Sequence, residues 1–300
     1  KRDKVKGKNM AIRYSHCLRP SFTNNINKLL QRSNSINIIA PTGYGRKRLL
    51  EDIKNNQKNT KVLLVDLNEY LLNYDGLMQA LWQQLNERGK RPAEFSELIV
   101  KLEKTEKKFI FLLYNFDDLL HNSYLDRKFN FSFFEQFQKI TQHTKMSLLC
   151  VTNQPYDQSV VFINGKTYRL WFDLKKKRLP KLTHDEIKVE LRSRNLSLSY
   201  HELSKITWAV HNHDKPYGFL NFCCDKIKKQ EDKRFDISLR IQKWTAQFSQ
   251  QDGIITVKHV STLASLLKWK KIVNPKLSAF VVFWAECFKF VGQWFIKNKM

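Results

Sequence analysis

An α/β domain with a parallel sheet flanked by helices is the fold this sequence predicts, and three observations predict it. Short apolar runs of strand length recur along the chain, helical repeats lie between them, and one run ends in a glycine-bearing turn that feeds a helix. That run is Ser35 to Leu50, SINIIAPTGYGRKRLL. Ile36 to Ile39 reads as the strand, and the helix starts near Gly45 and continues through Leu49, Leu50 and Ile53 at helical spacing. The outline is that of a phosphate-binding loop.

The elements follow in order. Lys1 to Lys8 reads KRDKVKGK, charged and without an apolar run behind it, so 1–18 is expected to be a basic arm rather than a secretory signal. The α/β domain is expected over 19–181. Ser21 to Leu30 carries Ile26, Leu29 and Leu30 at helical spacing, after an Arg19-Pro20 step that favours extended backbone. Lys61 to Leu67 (KVLLVDL) is a second buried strand, and Tyr70 to Asn86 a helix with Leu77, Ala80, Leu81 and Leu85 on one face. A helix over Pro92 to Glu103 leads to FIFLL, Phe109 to Leu113, the most apolar strand and the candidate sheet centre. Phe129 to Ile140 is an aromatic-rich helix in which Phe131, Phe134, Phe137 and Gln138 recur at helical intervals, which reads as core packing with base stacking as the alternative. Ser147 to Thr152 is a fourth strand that ends at Thr152 and Asn153.

A working loop of the form GxxxxGK[ST] holds phosphates on backbone N–H groups, reaches them with Lys, and holds Mg²⁺ with the Ser/Thr hydroxyl. Here the register gives Ala40, Gly45, Arg46 and Lys47. Arg46 keeps the charge as a broad planar fork, and Lys47 has no lone pair for a metal. After FIFLL, the places where phosphate-loop ATPases put a metal-ordering Asp and a water-activating Glu hold Tyr114 and Asn115. Asp117 and Asp118 follow, and a shifted register that promotes them to the metal site stays open.

Downstream, Lys166, Arg169, Lys175, Lys176, Lys177, Arg178 and Lys181 form a dense positive segment among Tyr168, Trp171 and Phe172. Such a segment suits phosphate neutralisation and base stacking, or else a solvated strand edge blunted by lysines. The span 182–235 reads as a helical module: Thr183 and Glu186 make a capping box, and a later helix opens at Pro216.

The order of loop strand, apolar acidic-type strand, polar-ended strand, LTHDEI and then KPYGFLNFCC resembles the archaeal-type AAA+ and STAND ATPases, whose helical lid often carries a Gly-His-Pro-Tyr-like turn. The resemblance covers about Arg19 to Ile227. It implies a P-loop fold with a helical lid and a nucleotide-site origin for Gly43, Gly45, Arg46, Lys47, Tyr114, Asn115 and Asn153, with Pro216 and Tyr217 on the lid facing that site. Four departures stand together, at Arg46, Lys47, Tyr114 and Asn115. The expectation is a degenerate ATPase with no catalytic residue, no metal and no cofactor beyond weak, Mg²⁺-independent ATP or ADP. The sensing residue of the polar-ended strand would be Asn153.

The last part, 236–300, is expected to be helical, with a small winged-helix unit within Ile254 to Trp269. Leu277 to Ile296 is about long enough to span a bilayer and has flanking lysines. Glu286 and Lys289 argue against a span, since a charge near its middle costs roughly 2.5–3.5 kcal/mol. A buried or partner-docking helix, a membrane span and an interfacial helix stay open there.

Composition sets the partners. The chain has 300 residues, with 53 Lys+Arg against 28 Asp+Glu, a net charge of +25. A field of that size attracts nucleic acid, an acidic protein or anionic lipid. The five cysteines form no CxxC pair, which points away from a disulfide framework and a zinc site and toward a reducing, cytosolic setting. Together these features predict a scaffold or adaptor that binds nucleic acid or an acidic partner, with an atypical ATP-dependent switch, a membrane-tethered adaptor and an oligomer as the rival possibilities.

Overall fold

The structure is a computed structural model that describes residues 16–251 apart from 88, 121–123, 156–159, 164–165, 170–171, 173 and 233–234. The chain divides into two compact units, 1–242 and 243–300. The winged-helix expectation and the apolar run 277–296 lie outside the described residues. Among the described residues no helix is long and apolar enough to cross a membrane.

The first unit is built on a five-stranded parallel sheet. Its strands are β1 (Ile36–Ile39), β2 (Thr60–Asp66), β3 (Lys108–Tyr114), β4 (Met146–Thr152) and β7 (Lys175–Arg178), in the order β2-β3-β4-β1-β7. The strands β3 and β4 sit inside the sheet, which is why their sequences are near-continuous apolar runs with both faces covered. Alternation along β3 divides the core. Phe109, Phe111 and Leu113 join one cluster with α3 (Tyr74–Leu85), α4 (Phe95–Glu103) and α6 (Phe131–Gln142), while Ile110 and Leu112 join the other with α1 (Pro20–Gln31) and α2 (Arg46–Asn55).

The first cluster is aromatic. The Phe133 ring lies 5.0–5.7 Å from those of Tyr74, Phe95, Phe129 and Phe137, mostly edge to face. The aromatic helix is thus core, with Phe133, Phe134 and Phe137 buried; Phe131 and Gln138, expected on the buried stripe, are only half-buried. The helix expected from Tyr70 also starts later. The Asp66 carboxylate accepts from the Asn68 N–H and caps a 3-10 turn, Leu67–Glu69, and Asn73 then caps α3 by accepting from the Gly76 N–H.

The two sheet edges differ. At β2, the Gln84 side chain accepts from the Leu64 N–H and donates to the Leu64 carbonyl, both at 2.9 Å, imitating a neighbouring strand. At β7 the N–H groups of Lys175 and Leu179 donate inward to Ser35 and Ile39. In a parallel ladder alternate N–H groups face the same side, so those of Lys176 and Arg178 face the open edge.

A hairpin, β5 (Val160–Ile163) with β6 (Lys166–Arg169), follows β4 as a separate two-stranded sheet. After β7 come the lid helices α7 (His184–Ser193), α8 (Tyr200–Asn212) and α9 (Pro216–Lys228). Capping boxes Thr183/Glu186 and Ser199/Glu202 start the first two. A short helix, α5 (Phe116–Leu120), follows β3.

Candidate functional site

The loop from Ala40 to Gly45 leaves β1 and enters α2 with Gly43 and Gly45 both at φ 85°, a left-handed conformation that glycine adopts freely. Space demands glycine as well. A Cβ at Gly43 would lie 2.5 Å from the Lys215 Cβ, and one at Gly45 would lie 2.9 Å from the Tyr217 ring. The lid therefore presses on the loop at both glycines.

The contact is also polar. The α9 helix has Lys215 at its N-cap and Pro216 in its first turn, with no side-chain cap. Lys has no acceptor, so the free N–H groups of the first turn need another partner. They find it across the cleft: Tyr217 and Gly218 both donate to the Gly43 carbonyl at 3.0 Å. Tyr217 thus meets the loop through its backbone N–H and its ring, whereas Pro216 opens the helix and donates nothing to the loop.

Two of the four departing positions, Arg46 and Tyr114, touch each other. The Arg46 guanidinium sits 5.1 Å from the centre of the Tyr114 ring and donates to the Thr42 hydroxyl at 3.4 Å. Asn115, at φ 56°, turns the chain out of β3 and donates from Nδ2 to Asp66 Oδ1 at 2.8 Å. The side chain of Asn153 accepts from the Thr42 N–H at 3.2 Å, and its backbone N–H donates to Asp117 at 2.9 Å. Asn153 and Asp117 accordingly tie the ends of β4 and β3 to the loop. Asp117 and Asp118 lie past the end of β3, which stops at Tyr114, in the first turn of α5. Lys47 stands apart from Gly43: it lines a cleft of about 200 Å³ with Leu50, Asp66, Tyr70, Gln84 and Tyr114.

Two buried charge sites without a motif to announce them complete the arrangement. Arg19 donates to the Tyr44 carbonyl at 2.8 Å and to the Pro180 carbonyl at 3.2 Å, joining the loop to the segment that enters the lid. Burial draws its guanidinium down to about 10 from its ordinary value. On the far side of α2, Arg48 bonds Asp52 at 2.9 Å and lies 3.3 Å from Glu190 of α7, all three buried. Burial opposes the charge on Arg48, but the Asp52 hydrogen bond and the Glu190 carboxylate hold its pKa above the ordinary value. Glu190 also meets Arg194 at 2.7 Å and His16 at 3.0 Å, and Arg194 donates to Asn221 of α9 at 2.6 Å. The sequence does hold one signal for this network: Glu190 falls on the same helical stripe as Ile187 and Leu191, and a carboxylate on a buried stripe requires a cation.

The basic segment is split between two sheets. Lys166 and Arg169 lie on β6, exposed, with Tyr168 between them packed 5.3 Å from Phe131. Lys175, Lys176, Lys177 and Arg178 are the whole of β7, exposed on both faces of the edge, and Lys181 follows, also exposed. Lys175 donates to Asn34 at 2.5 Å. Among the described residues Lys176, Lys177 and Arg178 have no ion-pair partner.

No protein-family model and no curated protein matches the chain. Solved structures do. The Aeropyrum pernix ORC1 protein in complex with DNA is similar at a TM-score of 0.51 and 15% identity, over 82% of this chain and 67% of that one. Drosophila ORC bound to DNA is similar at 0.52 and 12% identity, over 91% and 74%, and the Aeropyrum pernix ORC2 protein in ADPNP–ADP complexes at 0.50 and 12%, over 87% and 78%. At such identities the likeness is one of fold, and the fold is that of the AAA+ P-loop ATPases.

Proposed function

We propose that this chain is a non-hydrolysing scaffold on an AAA+ fold, which binds nucleic acid through the basic β7 edge and the β6 hairpin. The observation that carries the first half is the pairing of Arg46 with Tyr114. Hydrolysis on this fold needs a compact cation and a metal hydroxyl at the loop, and a carboxylate at the strand end. Here the loop offers a guanidinium and an ammonium, and the strand end offers an aromatic ring that the guanidinium already covers. An ammonium at Lys47 has no lone pair for a metal, and Tyr114 offers a phenol where a carboxylate would be needed.

The second half is supported by the concentration of uncompensated cations at one edge of a chain of net charge +25, and by the bound DNA in two of the similar structures. An acidic protein is the competing partner. Phosphate neutralisation makes the logarithm of the affinity fall linearly with the logarithm of salt concentration, with a slope of about 0.9 per phosphate neutralised on duplex DNA.

An ATP turnover assay with and without nucleic acid tests the first half. No turnover is expected, and turnover abolished by Asp117→Ala would overturn the reading. Lys47→Thr with Tyr114→Asp is expected to give Mg²⁺-dependent ATP binding, because it supplies the hydroxyl and the carboxylate together. A folded double variant indifferent to Mg²⁺ would contradict a nucleotide-site origin for these positions.

A further inference from the structure

The lid helix α9 has no side-chain cap: Lys215 stands at its N-cap with Pro216 behind it, and the amides of Tyr217 and Gly218 donate outside the helix. The Gly43 carbonyl caps them from across the cleft, where the positive end of the helix dipole favours a partial negative charge. The Lys215 and Tyr217 side chains fill the space that a Cβ on either loop glycine would take. At the opposite end of the same junction, Glu190 fixes α7 to α2 through Arg48, and Arg194 links Glu190 to α9. Arg19 holds Tyr44 of the loop to Pro180 beside the lid entry.

We propose that the start of α9 is an intramolecular latch. It holds the lid closed on the loop with the chain's own groups and makes access to the loop depend on its release. The low affinity expected for phosphate at this loop then has two separable sources: the altered side chains at Arg46 and Lys47, and the latch. The inference concerns the regulation of the site read above as non-hydrolysing, and rests on that reading only in assigning the loop an ancestral phosphate-binding geometry. It is separable from it, because a latch can stand over an active or an inactive loop.

The test uses the full chain, with hydrogen exchange over Lys215 to Gly218 and inorganic pyrophosphate as the probe. First-turn amides of a helix ordinarily exchange freely, because they have no intrahelical partner. In the wild-type chain the Tyr217 and Gly218 amides are expected to be protected, and Glu190→Gln, which weakens the far anchor without touching the loop, is expected to speed their exchange by about tenfold or more. Tyr217→Ala is expected to bind pyrophosphate about tenfold more tightly, since removing a competing closed state raises the apparent affinity. Wild-type amides that exchange as fast as an exposed helix start would overturn the proposal, whether or not either variant folds. So would a Tyr217→Ala chain with native circular dichroism and unchanged pyrophosphate affinity. ATP turnover in the wild-type chain bears on the non-hydrolysing reading alone.

Discussion

The cleft at the carboxyl ends of β1, β3 and β4 and the outer edge of β7 are both rich in cations, and they dispose of them in opposite ways. In the cleft and around α2, most of the charged and lid groups point at another part of the same chain. Arg46 covers Tyr114, Arg19 bonds two carbonyls, Arg48 meets Asp52 and Glu190, and the lid amides sit on Gly43. At the edge, Lys176, Lys177 and Arg178 reach into solvent from a strand whose outer backbone groups are open. Charge satisfied internally supports a structure, and charge left outside is available to a partner. On the function proposed above, the first region is the scaffold and the second the recognition surface.

The comparison can be broken most forcefully at Glu190. Glu190→Ala would leave buried Arg48 without its lid partner, and loss of one member of a buried pair costs about 3–5 kcal/mol. Chemical denaturation should show a fall of that size. A loss under about 1 kcal/mol, the range of an exposed pair, would mean that the network does not join lid and base.

The sealed edge gives a smaller effect. Gln84→Ala strips both backbone groups of half-buried Leu64 at β2 of their partners, and a hydrogen bond contributes a net of about 0.5–1.5 kcal/mol. The same denaturation measurement reads it. An unchanged midpoint would show that water replaces the amide, and the two edges would then differ less than their geometry implies.

Much of this fold is legible because its signals are local. The strand Ile36 to Ile39, the Thr183/Glu186 capping box and the helix opening at Pro216 each rest on neighbouring residues, and each stands where the local pattern places it. The candidate site is less legible because its contacts join distant parts of the chain. Nothing near Arg46 tells that its partner is Tyr114, and nothing near Lys215 tells that its helix is capped by Gly43. The basic segment reads as one patch, yet its residues fall on two sheets, the two-stranded one and the edge of the main one. Strand β5 does carry a local signal, an apolar, largely β-branched run from Val160 to Ile163 separated from Lys166 to Arg169 by Asn164-Gly165, the dipeptide that favours a two-residue hairpin.

A further, smaller effect sharpens the cleft side. Arg46→Ala removes the cation over Tyr114, worth about 0.5–1 kcal/mol at a partly exposed site. A double-mutant cycle with Tyr114→Leu measures the coupling. A coupling near zero would show that the two altered positions do not compensate one another.

The smallest expected effect on stability accompanies the most direct test of the account. Changing Lys176, Lys177 and Arg178 to Ala together should alter stability by only about 0.5 kcal/mol or less for each exposed position. Anisotropy of a labelled DNA duplex, titrated with wild-type and triple-variant chain across a range of salt, is the deciding measurement. The account predicts weaker binding for the variant and a salt slope shallower by about 0.9 for each phosphate that the variant no longer neutralises. Equal affinity and equal slope for the two chains would contradict it, and binding only to an acidic peptide would transfer the edge to a protein partner.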